Sequence, residues 1–492
     1  MTNNIVGLII SIAVVFGILA IAEIIKKYSN VTEEFSRKFV HIGVSNWWLV
    51  AMYFIEDMKI AIIPPLLFII LNYISYKKSY FNSMNRDNDN SLGTVYYPIS
   101  LAILVILFWD NGILGEGLGY IGAIGILIMG YGDGLAGLIG KKFGKIKIFN
   151  HKSLEGTLTN FIVSFLIAIL FLGVKFNISL NIVVLSFIIA LFSSILELIT
   201  PHGLDNLTLP IGISILVYIL TSNPISYVVI YRLIIGMIFS SSIGIIAFYK
   251  KSLTKSGMLG AIILGTVIYA TMGFFGASTM ILFFITSSFM SHFKKKKKSK
   301  VEKQFDKTGN RDIYQVFANG GIGLLYSILY FVSGDMIYML LFIVSFAAAN
   351  ADTWSTELGI LDSGQPISLR TFKRVPKGTS GAVSVIGSFS GFLGSFVVSI
   401  YSIILLNIFY GYSLGIGIII LLSFSGYMGT FIDSILGAYI QGIYITENNT
   451  ETERKSINGI SNKLSRGIEV INNDLVNIIS ITSASIIPLL FL

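Results

Sequence analysis

Between Gly130 and Gly156 the chain reads GYGDGLAGLIGKKFGKIKIFNHKSLEG, with long apolar runs on both sides. Asp133 and Glu155 are hard oxygen ligands of the kind magnesium prefers, and Lys141, Lys142, Lys145, Lys147 and Lys152 can hold phosphate. The interleaved glycines permit tight turns and close backbone approach. Metal, positive charge and a positioned acceptor are what phosphoryl transfer needs. A plainer reading makes this a basic loop that fixes membrane orientation, with glycines for packing. It fits the lysines better than it fits the two carboxylates, because acids at a membrane edge are costly. There is no GxxxxGK[ST], so a P-loop nucleotide site is not expected.

Two more stretches of the first half add polar groups. FSRKFVHIG supplies Arg37, Lys38 and His41, with Arg37 and His41 one helical turn apart. For His41 a general base, a phosphate partner and an interfacial histidine all stand as readings. ELITPHGLDNLTLPI brings Glu197, His202, Asp205 and Asn206 to one place, where Pro and Gly interrupt the helix. The second half repeats this chemistry. GNRDIYQVFANGG sets Arg311, Gln315 and Asn319 on one face, and AAANADTWSTELG carries Asn350, Asp352 and Glu357. PISLRTFKRVPKGTSGAVS adds Arg370, Lys373, Arg374 and Lys377 ahead of a helix start that could bind an anion. GTFIDSILGAYIQG adds Asp433 and Gln441.

The elements that must position these groups are membrane helices. The chain has 492 residues, 54% hydrophobic and 12% charged, with mean hydropathy +0.79. Long uniform apolar runs predict an all-α polytopic membrane protein of two helical bundles with about 16 transmembrane helices, and deny a barrel. Among the spans are roughly 40–55, 257–271 and 273–291. The first apolar run lacks a cleavage signature and reads as a retained helix. There is no cysteine, which excludes thiolate metal sites, cysteine nucleophiles and disulfides. Alternating the spans puts nearly all basic loops on one side, which predicts cytoplasmic candidate sites and both termini on the opposite face. The formal net charge of +9 serves topology and phosphate, so no nucleic-acid partner is expected. KKSLTKS, from Lys250, divides the chain into domains 1–249 and 250–492.

RKFVHIG, GYGDGLAGLIGKKFGK, KSLEGT and ELITPHGLDNLTLPI, in that order over about 35–222, resemble the phytol kinase and dolichol kinase family. Such membrane enzymes use CTP or a related nucleotide to phosphorylate a long isoprenoid alcohol. The resemblance implies nucleotide and magnesium around Asp133, Lys141, Lys152, Glu155, Asp205 and Asn206. The family is similar in outline to CDP-diacylglycerol synthases, so a cytidylyltransferase stays open. Over about 255–491, the stretches at Arg311, Asp352 to Glu357, Val375 to Gly381, Asp433 to Gln441 and the DLVNIIS near the end resemble the phytyl-phosphate kinase family. Where that family has a lysine and glycine before the arginine, this chain has Gly309 and Asn310.

Together the two resemblances imply a natural fusion that takes a prenol to its monophosphate and then its diphosphate, with Mg2+ and with CTP, UTP or ATP as donor. The catalytic candidates are Asp133, Glu155, His41, Asp352 and Asp433. Substrate or nucleotide phosphates would meet Arg37, Lys38, Lys141, Lys152, Asn206, Arg311, Asn319, Arg374 and Lys377. Metal ligands would come from Asp133, Glu155 and Asp205 in one half and Asp352, Glu357 and Asp433 in the other. The partners are membrane lipid, an isoprenoid alcohol or its monophosphate, and a nucleoside triphosphate. A lipid-phosphate transporter or flippase is the reading from a different class.

Overall fold

A computed structural model of the chain describes residues 2–29, 31–78, 92–149, 152–200, 203–221, 227–294, 297, 310–446, 451–457 and 460–492. His202 and most of the lysine run at 294–298 lie outside the described residues. The protein is a helical, multi-pass integral membrane protein. Among the described residues, 12 helices are long and apolar enough to cross a bilayer, and Gly93–Phe108 and Asp205–Thr221 are shorter apolar helices. The chain forms two compact units, Met1–Ser226 and Tyr227–Leu492. The division expected after residue 249 therefore falls one helix earlier. Tyr227–Tyr249 joins the second unit because it packs along Lys255–His292.

The first unit contains α1 (Thr2–Tyr28), α2 (Glu33–Ser45), α3 (Trp47–Phe54), α4 (Met58–Ala61), α5 (Ile63–Lys78) and α6 (Gly93–Phe108). It continues with α7 (Gly119–Leu127), α8 (Gly134–Phe143), α9 (Leu154–Phe176), α10 (Leu180–Ile199) and α11 (Asp205–Thr221). The span expected at 40–55 is two short helices. Asn46 ends the first, its Nδ2 donating to the carbonyls of Ile42 and Gly43 at 2.8 and 3.3 Å. Between α7 and α8 lies a π-helical turn, Ile128–Asp133. Such turns are rare and frequently sit at functional sites.

The second unit contains α12 (Tyr227–Tyr249), α13 (Lys255–His292), α14 (Ile313–Ser333), α15 (Met336–Gly359), α16 (Val385–Tyr410), α17 (Ile416–Tyr439) and α18 (Asn473–Ile486). α13 is broken at Gly273, whose φ of 62° and ψ of −146° no other residue adopts readily. A Cβ on Gly265 would lie 3.2 Å from Met280 Cε, so the chain folds back on itself there. This agrees with the two spans expected at 257–271 and 273–291. α15 is the central helix, and its stretch Met339–Ala351 is buried. Short antiparallel strands occur between the helices: Lys147–Phe149 with Lys152–Ser153, Ile367–Ser368 with Ala382–Val383, and a three-stranded sheet of Glu451–Thr452, Ile443–Ile445 and Lys463–Arg466.

Candidate functional site

In the first unit the glycines of GYGDGLAGLIG bring two helices close enough for a buried ion pair. A Cβ on Gly130 would lie 2.3 Å from Ser45 Cβ, one on Gly134 2.8 Å from Ile42, and one on Gly137 2.8 Å from Lys38 Cε. α2 can therefore lie against the π-turn and α8. Lys38 Nζ reaches Asp133 Oδ2 at 2.5 Å and the Asp133 carbonyl at 3.3 Å, with both side chains 8% exposed. A second buried pair stands nearby, Lys152 Nζ to Glu197 Oε1 at 2.8 Å. The charges of Asp133, Lys38 and Lys152 all act on Asp205. Asp205 Oδ1 accepts from the N–H groups of Gly203 and Asn206, at 3.1 and 3.0 Å. Asn206 Nδ2 donates to the Gly93 carbonyl at 3.0 Å, and its Oδ1 is buried without a partner. Asp133, Lys38, Lys152, Glu197, Asp205 and Asn206 thus belong to one polar cluster at the ends of apolar helices.

Four expected members stand in other contacts. Glu155 Oε1 accepts from the Lys145 N–H at 2.9 Å. Lys141 is exposed and reaches Glu34 Oε2 at 2.5 Å. Partial burial pushes the Glu34 carboxyl upward, but its bond to Lys141 and the charges of Lys141, Arg37 and Lys38 outweigh that and leave it below the ordinary value. Arg37 and His41 line a small apolar cavity of about 50 Å³ between α1, α2, α5 and α6. His41 stacks on Tyr97 with ring centroids 5.4 Å apart, and its Nδ1 is buried without a partner.

The second unit assembles its residues around one polar cavity of about 290 Å³. Arg311, Asn319, Asp352, Glu357, Lys377 and Asp433 all line it. They come from four separate segments of the chain. α14 begins with a reciprocal cap in which Asp312 Oδ1 accepts from the Gln315 N–H at 2.9 Å and Gln315 Oε1 from the Asp312 N–H at 3.2 Å. That fixes Gln315 and Asn319 on the cavity side. Asn350 anchors α15: its Oδ1 accepts from Thr286 and Ser287 at 2.9 and 3.0 Å, and its Nδ2 donates to the Gly394 carbonyl at 2.8 Å. Asp352 is thereby set in the wall of the cavity, where its charge acts on Asp433. Asp433 Oδ2 and Thr430 Oγ1 are buried without partners.

The loop after Lys377 closes one side. Gly381 has φ +76°, and a Cβ there would lie 2.4 Å from the Ala438 nitrogen, so only glycine lets the loop touch α17. Ser380 Oγ donates to Gln441 Oε1 and Gln441 Nε2 to Glu453 Oε1, both at 3.0 Å. Lys377 Nζ donates to the Asp362 carbonyl. The Asp362 carboxylate accepts from the Gly364 N–H, and this bond first, with the nearby Ile386 N–H and Lys377 charge, holds its pKa below the usual range. Arg374 is the correction: it is exposed, its backbone bridges Ile367, and it is absent from the cavity wall. The sequence also expected two three-carboxylate metal sets. Among the described residues no three His, Asp or Glu side chains are grouped to hold a metal ion.

Sequence reasoning missed Asn160 and Arg466. Asn160 is fully buried in α9, where its Oδ1 accepts from Ser193 at 2.9 Å; its signal was an amide alone in an apolar run. Arg466 Nη1 donates to the Gly437 and Ala438 carbonyls at 2.8 and 2.6 Å and its Nη2 to the Ser380 carbonyl at 3.1 Å, tying the loop to α17. No local motif marks it.

The family model described as Integral membrane protein DUF92 matches residues 238–485, just over half of the chain. The chain belongs to the DUF92 family. Every residue lining the polar cavity falls within the matched DUF92 stretch. A phytol kinase from Synechocystis sp. is 32% identical over 205 residues, 41% of this chain and 86% of that protein. Protein PGR of Arabidopsis thaliana is 34% identical over 171 residues, 32% of this chain and 59% of that protein. An uncharacterized membrane protein of Methanocaldococcus jannaschii is 32% identical over 174 residues, 35% of this chain and 71% of that protein. No solved structure matches this DUF92 member.

Proposed function

We propose that the chain is an isoprenoid-alcohol phosphotransferase in two parts. The first unit, of the phytol and dolichol kinase type, phosphorylates a prenol such as phytol or geranylgeraniol. The second, joined to it as a natural fusion, phosphorylates the monophosphate, and each uses CTP or a related nucleotide. The observation that carries the reading is the assembly of Arg311, Asn319, Asp352, Lys377 and Asp433 around one polar cavity. The likeness to a phytol kinase supports the class of reaction.

In the first reaction the prenol oxygen attacks the terminal phosphorus of the nucleotide, the bond to the bridging oxygen breaks, and the nucleoside diphosphate leaves. His41 would take the hydroxyl proton, since it lines an apolar cavity suited to an alkyl chain and its Nδ1 is unpartnered. In the second reaction the attacking atom is already a phosphate oxyanion, so no base is required. Arg311 and Lys377 would balance the charge of the phosphoryl oxygens. Asp352 and Asp433 fit a magnesium ion, because Asp433 Oδ2 is buried and unpartnered, and magnesium commonly takes one or two carboxylates with phosphate and water completing its shell. Bound there, the ion supplies charge neutralisation between phosphates.

Purified protein given labelled CTP, magnesium and a panel of prenols should yield labelled mono- and diphosphates, resolved by chromatography. Release of pyrophosphate with CMP incorporated into the lipid would identify a cytidylyltransferase instead. Phosphate moved across a vesicle without nucleotide would identify a transporter.

Nucleotide supply also requires both sites to face the cytoplasm, as the basic loops predict. The chain has no cysteine, so Lys147→Cys and Lys373→Cys give single exposed thiols. Both should resist an impermeant maleimide on intact cells and react after the membrane is opened. Labelling on intact cells would overturn this orientation.

A further inference from the structure

Beside the polar cavity of the second unit runs a separate apolar slot of about 80 Å³ between α12, the folded α13 and α14. Its walls include Phe239 and Ile243 from α12, Ala261 and Met280 from α13, and Gly320 from α14. Three residues line both spaces: Arg311, Gln315 and Asn319. The two volumes therefore meet at one polar threshold, with hydrocarbon walls on one side and carboxylates and Lys377 on the other. The Arg311 guanidinium lies over the rings of Phe283 and Phe284, 5.7 and 5.9 Å from their centroids, which holds a cation at the apolar edge. α12 leaves Ile238 and Phe239 about half exposed or more, at 60% and 58%, on an apolar outer face suited to lipid.

We propose that this slot takes the hydrocarbon tail of a single-chain lipid monophosphate, entering sideways from the bilayer, while its phosphate rests against Arg311, Gln315 and Asn319. A ligand with a charged head and one long alkyl or prenyl tail fills both spaces at once. A nucleotide alone would leave the slot empty, and a two-chain phospholipid has a second tail for which this single slot offers no place. α12, none of whose residues lines the polar cavity, becomes the wall that measures the tail. The assignment rests on the second unit acting on a lipid monophosphate and adds where the tail lies.

The test uses the full chain in nanodiscs with a C20 prenyl monophosphate bearing a diazirine at the tail end. Photolysis should label peptides from Tyr227–Tyr249 and Lys255–Met272, and unlabelled C20 monophosphate should compete while a two-chain phosphatidic acid should not. Ala261→Phe, which fills the slot, should cut that labelling at least tenfold. It should raise the KM for C20 monophosphate about tenfold while leaving turnover of a C5 prenyl monophosphate unchanged, which also reports that the variant is folded. Labelling elsewhere, competition by phosphatidic acid, or equal loss of C5 and C20 turnover with C20 labelling retained would overturn the slot assignment. Competed labelling of the slot without any diphosphate product would leave the slot standing and remove the kinase reading instead.

Discussion

Asp433→Asn should abolish formation of prenyl diphosphate, with a loss of about a thousandfold or more, and should leave monophosphate to accumulate from free prenol. Asp433 Oδ2 is buried without a hydrogen-bond partner; Ser480 bonds to the carboxyl group, but the nearby Asp352 and Glu453 carboxylates repel it. Two carboxylates kept together without a compensating cation destabilise a fold unless a ligand uses them. An amide has nearly the same shape, removes one negative charge and cannot replace the carboxylate as a metal ligand. The variant should therefore unfold at the same temperature as the wild type or a higher one, the usual sign of a site that trades stability for function. Asp352→Asn should behave alike. Chromatography of labelled products from prenol, with supplied monophosphate in parallel, measures the chemistry, and thermal unfolding in detergent measures the fold. A lower unfolding temperature with diphosphate still produced would make Asp433 a packing residue.

Much of this cavity was legible because its residues are expensive where they stand. An aspartate after AAANA, or inside GTFIDSILG, cannot rest in an apolar helix without a reason, so hydropathy and charge alone drew attention to Asp352 and Asp433. The helical class followed from the apolar runs, and the two spans that meet at Gly273 from a run too long for one crossing. Other features depend on contacts between distant segments, which composition cannot report. Arg374 and Lys377 look equivalent in RTFKRVPKG, yet only Lys377 reaches the cavity, because the turn and the Ile367 bridge carry Arg374 outward. Lys141 and Lys152 look equivalent too; one pairs with exposed-side Glu34 and the other with buried Glu197. Asn46 splits a span that hydropathy draws as continuous, since its side chain satisfies the carbonyls of the turn before it. Arg466 lies in a polar strand whose partners are fixed only by the fold.

The buried Lys38–Asp133 pair separates structure from chemistry in the first unit. Lys38→Met leaves the Asp133 carboxylate buried with its nearest cation gone, and Asp133→Leu leaves the ammonium in the same position. Each single change should destabilise the protein by about 3–5 kcal/mol, the cost typical of breaking a buried ion pair from one side. The double variant removes both charges, so it should recover most of that loss, as apolar replacements of buried pairs commonly do. The recovery reads as a coupling of opposite sign to the single losses in a double-mutant cycle of unfolding midpoints. Activity should not follow stability. If Asp133 binds the magnesium–nucleotide complex of the first reaction, the refolded double variant still makes no monophosphate from prenol, yet converts supplied monophosphate to diphosphate at the wild-type rate. Near-normal monophosphate formation by the double variant would reduce the pair to a packing device. Loss of both steps, with monophosphate supplied and the protein folded, would mean one shared active site and end the two-kinase reading.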